Sequence, residues 1–495
     1  MIADFITGFS NVLTPLGLLY MVGGVIIGII FGSIPGLSAT MAVAIFLSVT
    51  YTMTPGMSLS LLCALYIGGI SGGLISAILL RMPGTPSSVA TCFDGYPMAQ
   101  KGEAGKALGA GIVFSFLGGL FSFFALFFIA PQVAKFAVLL GPYELFSLAI
   151  FSLSMICVMT EKGSMAVGIG AGCIGLAIGI IGIAPIDGAS RLTFGLPALS
   201  GGIDTLPLMI GVFVVPEIID SASDKYAPKG ELVKYHIKGF GFSMKEFIEQ
   251  IPNAIRSALI GLGIGILPGI GGGTSNILAY TVAKTSSKHP EKFGTGIMDG
   301  IVASETANNA TIGGAMIPLL CLGIPGDTTT AMLIGAFTIH GITPGPLLFT
   351  SQRPLVYTIF AALFVSNILM LIIEFVGLRG FVKVLSVPKY ILLPIILMMC
   401  AIGAFALSNN VFDVICVALL GVGAYVLKQR RVNLVPIILG YVLGSSVETN
   451  LRRAYQLGKG DWTGFFSHPA SLAFLLLAAG VILLTAYRMH KKEVA

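Results

Sequence analysis

Between Phe5 and Leu80 this chain carries no charged residue, a run of 76 positions. A hydrocarbon core of about 30 Å is crossed by a helix of roughly 20 residues, so this run must hold several membrane-embedded segments. Further uncharged stretches cover 107–134, 163–186, 257–283, 390–412 and 462–487. With 55% hydrophobic and only 10% charged residues, a water-soluble domain is excluded. The pattern predicts an all-α polytopic membrane protein of about a dozen transmembrane helices.

Four Pro-Gly pairs interrupt this apolar sequence: Pro35-Gly36, Pro83-Gly84, Pro268-Gly269 and Pro325-Gly326. Lipid offers no partner to a freed N–H or C=O, so a helix breaks at depth only where protein or a polar cavity satisfies the backbone. Such breaks point to a solute site. The pairs also repeat. GGISGGLISAILLRMPGTPSSVA (68–90) matches ATIGGAMIPLLCLGIPGDTTTAM (310–332) at a constant offset of 242, and GIIFGSIPGLSATMA (28–42) matches GIGILPGIGGGTSNI (263–277) less closely, Pro35-Gly36 falling on Pro268-Gly269 at an offset of 233. Internal repeats of this kind characterise secondary transporters.

Loop charges orient the copies. Lys225, Lys229, Lys234, Lys238 and Lys245 mark a cytoplasmic connection by the positive-inside rule, and the basic residues at 379–389, 428–431 and 488–492 mark others. Between Lys106 and Lys225 there is room for four passes, at 107–130, 136–159, 164–184 and 205–219. The count makes the copies inverted, an arrangement that suits an elevator-like motion around a midplane site. It divides the chain into a first repeat with broken helices or hairpins (1–110), connecting transmembrane helices (111–220), a polar cytoplasmic loop (221–250), a second repeat (251–352) and C-terminal transmembrane helices (353–495).

Small and polar residues follow each break. Ser38, Thr40, Thr85, Ser87, Ser88, Thr274, Ser275, Asn276, Thr328 and Thr329 are the candidate substrate ligands, because a restarted helix exposes unpaired N–H groups and hydroxyls add donors for a carboxylate. Thr85 and Asp327 suit helix capping equally well. Unwound carbonyls at Gly36, Gly84, Gly269 and Gly326, with Glu305, Asn308 and Asn309, are the cation-coupling candidates, since a hard cation prefers oxygen. Arg81 is either a counter-charge for an anionic solute or a side chain snorkelling to the headgroups. Glycines at four-residue spacing (Gly24, Gly28, Gly32, Gly36; Gly265, Gly269, Gly273) permit close helix packing.

Other classes find little support. The seven cysteines form no CxxC pair and the five histidines are dispersed, so a structural metal site is not expected. No nucleophile with a base at recognisable spacing and no Walker motif appear, so neither an enzyme nor an ATP-driven pump is indicated. The net charge of +6 comes from loop lysines and arginines and implies no nucleic acid. A passive channel or facilitator for organic anions would use the same polar breaks and is the alternative to a transporter.

GSIPGLSATMA and YIGGISGGLISAILLRMPGTPSSVATCFDGYPMAQKGEAGKALG in the first half, with GILPGIGGGTSNILAY, FGTGIMDGIVASETANNATIGGAMIPLLCLGIPGDTTTAMLIGA and HGITPGPLLF in the second, resemble the large membrane subunit of the tripartite tricarboxylate transporters, the TctA-type proteins. The resemblance covers nearly the whole chain. It implies sodium-coupled import of a small di- or tricarboxylate such as citrate across a bacterial inner membrane, with no other cofactor. It also implies two partners, a periplasmic solute-binding protein and a small four-helix membrane subunit. Coupling is physically required: one charge crossing 100 mV is worth about 2.3 kcal/mol, so a trianion entering a negative interior costs roughly 7 kcal/mol before any concentration gradient.

Overall fold

Two long helices begin at a threonine followed by proline. Thr14 accepts a hydrogen bond from Gly17 N–H ahead of Pro15, and Thr54 accepts one from Met57 N–H ahead of Pro55. The cap satisfies an orphan donor while proline, which has no N–H to lose, presets the first turn. In the computed structural model, which describes residues 2–158, 165–184, 186–223, 240–385 and 387–494, about four-fifths of the chain is helical. Lys225, Lys229, Lys234 and Lys238 lie outside the described residues.

In chain order the helices are α1 (Ile2–Val12), α2 (Pro15–Ser33), α3 (Ala39–Val49), α4 (Pro55–Leu80), α5 (Thr91–Met98), α6 (Ala104–Ala137), α7 (Pro142–Ser154), α8 (Met165–Gly179), α9 (Thr205–Met209), α10 (Val215–Ser223), α11 (Met244–Ile266), α12 (Gly271–Thr285), α13 (Met298–Leu322), α14 (Thr328–Ile339), α15 (Leu348–Ser351), α16 (Arg353–Val384), α17 (Lys389–Ser408), α18 (Val411–Gln429), α19 (Val435–Leu457), α20 (Gly464–Ser467) and α21 (Pro469–Val494). Among the described residues, eight helices or continuous helical runs are long and apolar enough to cross a membrane, and four shorter apolar helices accompany them. The one sheet among the described residues is a two-stranded hairpin, Gly182–Ile183 with Ser190–Arg191.

The chain divides into two compact units, Met1–Ala134 with Glu217–Gly403, and Lys135–Pro216 with Ala404–Ala495. In the second, α8 and α19 meet at glycines: a Cβ at Gly175 would stand 1.8 Å from the Ile437 carbonyl oxygen and one at Gly440 2.1 Å from that of Gly172. Arg191 forks onto both Glu448 oxygens at 2.9 and 2.7 Å, tying the hairpin to α19.

The first unit is organised around α4 and α13, which are buried along almost their whole length. Each packs against the helix that precedes a break, and the two pairs share one register. A Cβ at Gly28 would meet the Leu65 carbonyl oxygen at 2.5 Å, and one at Gly32 that of Gly69 at 2.1 Å. In the other pair, Gly261 faces the Ala307 oxygen at 2.2 Å and Gly265 the Thr311 oxygen at 2.6 Å. In the reverse direction, Gly72 faces the Ile29 oxygen at 2.5 Å and Gly314 the Leu262 oxygen at 2.6 Å. Every partner is displaced by 233 residues on α2 and α11 and by 242 on α4 and α13, the offsets of the two sequence matches. Small residues let helix backbones approach closely, and in a membrane such packing is what holds helices together.

At its loop end, outside the eight spans, α11 starts with a capping box. Ser243 and Glu246 bond each other's backbone, and the Lys106 ammonium donates to Glu246. Lys106 and the Ser243 N–H hold the Glu246 carboxyl down to about 2. The stabilisation is complete above the ordinary glutamate value and is lost as pH falls through about 2. Replacing Lys106 with Met is expected to return this titration towards the usual value of about 4.3, read from the carboxyl band in infrared difference spectra. An unchanged titration in Lys106→Met would exclude the ion pair as its cause.

Candidate functional site

Helices are interrupted at all four Pro-Gly pairs, each with a left-handed residue at or near the turn. Gly36 (φ 91°) and Gly269 (φ 76°) adopt it after α2 and α11, and Arg81 (φ 56°) and Gly323 (φ 72°) after α4 and α13. Left-handed backbone suits glycine and strains a side chain. Arg81 is therefore the exception among the four. Its side chain is exposed, with the guanidinium 5.9 Å from the Tyr96 ring centroid. Glycine also serves close approach: a Cβ at Gly84 would stand 2.0 Å from the Gly32 oxygen, and one at Gly326 2.5 Å from the Gly265 oxygen.

The restarted segments meet in two crossed pairs. After the first and fourth breaks, the Thr40 hydroxyl lies 2.9 Å from the hydroxyls of both Thr328 and Thr329. The Tyr66 hydroxyl, from α4, donates to Asp327, which also accepts from the N–H and hydroxyl of Thr330, both at 2.7 Å. Asp327 is thus the N-cap of α14, completing a capping box. After the second and third breaks, Ser87 lies over Gly272 and the Pro86 carbonyl over Gly273. There the Asn276 side chain accepts from Ala90 N–H at 2.7 Å and donates to the Ser304 carbonyl at 3.3 Å.

The candidate ligands divide accordingly. Thr40, Thr328 and Thr329 form the first–fourth junction, while Thr85, Ser87, Ser88 and Asn276 gather at the second–third junction. Ser38 caps α3 through Met41 N–H. Ser88 bonds the Thr85 carbonyl and receives its N–H. Ser275 turns to α13, 2.7 Å from Thr311, and Thr274 is exposed. The Gly36 carbonyl accepts from Ser221 at 2.8 Å.

Glu305 is buried in the same unit, with Thr91 donating to one oxygen at 2.5 Å and Ser115 to the other at 3.0 Å. No cation stands against it among the described residues, and neutral donors alone carry it. Close by on α13, both amide atoms of Asn308, the Asn309 Oδ1 and the Thr306 hydroxyl are buried without a hydrogen bond; so are the Thr85 and Ser76 hydroxyls around the second break. Buried polar atoms are nearly always paired, so an unpaired cluster requires an explanation. Oxygens of this kind, beside a carboxylate, fit a hard cation or a polar solute.

Two residues of this region escaped the sequence reading. Asp94 is fully buried and accepts from Tyr280 Oη (2.9 Å) and from the N–H groups of Gly294 (2.9 Å), Gly296 (2.8 Å) and Ile297 (3.1 Å), clamping the loop that leads into α13. An acid inside an apolar run was its only signal. Tyr66 occupies the place of Asn308 in the other copy, which the 242 offset reveals once it is carried upstream.

A family model described as "Tripartite tricarboxylate transporter TctA family" matches residues 18–439. A protein of Agrobacterium vitis, described as an uncharacterized 52.8 kDa protein in the TAR-I ttuC' 3' region, is 35% identical over 495 residues, covering 100% of this chain and 98% of the relative. Another from that organism, described as an uncharacterized protein in the TAR-II ttuC' 3' region, is 38% identical over 234 residues, 47% of this chain and 97% of the relative. No solved structure matches.

Proposed function

The chain belongs to the tripartite tricarboxylate transporter TctA family, and from that premise we propose that it imports a small di- or tricarboxylate such as citrate, coupled to sodium, across a bacterial inner membrane. Membership makes it a multi-pass subunit of a tripartite transporter. In the proposal its partners are a periplasmic binding protein that delivers the acid and a small four-helix membrane subunit.

The observation that carries the reading is the crossed meeting of four helix breaks within one unit. Exchanging the two sequence copies maps the first–fourth junction onto the third–second junction, as a two-fold axis between them requires. With the shared glycine register, this supports a pair of inverted repeats and alternating access by movement of the unit that holds them. Sodium supplies the driving force for an anion entering a negative interior. The unpaired Asn309 Oδ1 and Thr306 hydroxyl, next to Glu305, would hold it by the oxygen ligation that a hard cation prefers.

The test is uptake of radiolabelled citrate by cells that lack their own citrate uptake and produce the chain with both partners. Uptake is expected to require external sodium and to fall to background when any one of the three proteins is left out. Undiminished uptake without the binding protein would contradict the tripartite arrangement.

A further inference from the structure

The two junctions occupy equivalent places in the two copies but differ in one respect. At the first–fourth junction every principal polar group has an internal partner: Tyr66 with Asp327, Thr40 with Thr328 and Thr329, Asp327 with Thr330. The corresponding residues at the second–third junction are Asn308 for Tyr66, Thr85 for Asp327, and Gly273 for Thr40. Only the turn-closing pair has a counterpart there, Ser88 bonding the Thr85 carbonyl and receiving its N–H; the Tyr66–Asp327 and Thr40 bonds have none. Asn308 is 1% exposed and Thr85 3%, yet both amide atoms of Asn308 and the Thr85 hydroxyl make no hydrogen bond.

The surrounding backbone makes room for them. A Cβ at Gly272 would stand 2.8 Å from Asn308 Oδ1 and 2.7 Å from Ser87 Oγ, and one at Gly73 would stand 2.8 Å from the Thr85 hydroxyl oxygen. In the other copy these two positions are Ala39 and Ala315. The side-chain space that alanine fills at the first–fourth junction is therefore left to polar groups at the second–third junction. Glu305, one turn before Asn308, takes hydrogen bonds from Thr91 and Ser115, and the Asn308 amide lies close enough to stabilise its carboxyl without reaching hydrogen-bond geometry.

We propose that only the second–third junction binds the transported acid, one carboxylate group being held by the Asn308 amide and the Thr85 and Ser87 hydroxyls, while the first–fourth junction is a permanently closed structural clasp. The inference rests on the transport reading above. The donors are neutral N–H and O–H groups, which suits a carboxylate. A binding site that is unpaired without its ligand also has a distinctive stability signature. Removing a buried, unsatisfied polar group relieves its desolvation cost, whereas breaking a satisfied pair leaves a partner stranded.

The experiment compares Asn308→Leu, Thr85→Val, Thr85→Ser and Tyr66→Phe in two assays: melting of the purified full-length chain without substrate, and citrate and succinate uptake by the assembled three-component system, per folded transporter. Asn308→Leu and Thr85→Val are expected to melt no lower than the parent while their apparent affinity for the acid falls by roughly tenfold or more, the worth of one lost hydrogen bond of about 1.4 kcal/mol. Thr85→Ser keeps its hydroxyl and is expected to keep its affinity. Tyr66→Phe is expected to melt lower with affinity unchanged.

Three results would overturn the inference while leaving transport intact: an unchanged affinity in Asn308→Leu, melting of Asn308→Leu reduced as in Tyr66→Phe, or a loss confined to sodium affinity, which would make the junction a cation site. If the parent system takes up neither citrate nor succinate, the proposed substrate class fails and this inference fails with it.

Discussion

Alanine at Gly84 or Gly326 is expected to remove most of the folded protein from the membrane. The added Cβ would lie 2.0 Å from the Gly32 oxygen in one case and 2.5 Å from the Gly265 oxygen in the other. Both obstacles are backbone, which no rotamer change can move aside. Overpacking costs typically 1–3 kcal/mol where side chains can adjust, so rigid contacts at this distance should cost about 3 kcal/mol or more. Gly263 is the control, since nothing stands within 4 Å of its Cβ position; alanine there should gain about 0.5–1 kcal/mol from helix propensity. The yield of monodisperse protein after graded heating measures all three variants. Gly84→Ala melting within a few degrees of the parent would refute the packing register shared by the two helix pairs.

A second large loss is expected from Asp94→Ala. The substitution takes the acceptor away from three backbone N–H groups of a partly exposed loop and from the buried Tyr280 hydroxyl, and each donor left unsatisfied costs about 1–3 kcal/mol where water does not replace the acceptor. Asp94→Asn keeps the size but presents an amide to donors, so it should recover only part of the loss. Hydrogen exchange at Gly294, Gly296 and Ile297 separates local from global effects. Protection should vanish there first, and protection retained at these amides in Asp94→Ala would show that the carboxylate is not what holds the loop.

The breaks were legible because proline and glycine act locally: a missing N–H and an accessible left-handed backbone show wherever the chain folds. The glycine stripe was legible for a similar reason, except that Gly36 and Gly269 serve turns rather than the stripe. Side-chain pairing was not legible, because it depends on which helix faces which. Ser275 and Thr274 are neighbours in sequence, yet one bonds α13 and the other is exposed. Asn276 was read as a ligand for solute, whereas its amide is spent on Ala90 and Ser304. Asp327 was read as a possible cap, and the cap is what forms. The contrast between its pairing with Tyr66 and the unpaired Asn308 and Thr85 emerges only when the repeat and the tertiary contacts are read together.

Uphill movement of a carboxylate is the proposed work of the unit that holds the four breaks. Accumulation of radiolabelled citrate in proteoliposomes holding the chain and its four-helix partner, with the binding protein added outside, tests it most directly. With an inward sodium gradient, internal citrate should exceed the external concentration, and equalising sodium should abolish the excess. Citrate that merely equilibrates, at a rate indifferent to sodium, would contradict the account and make the chain a passive channel.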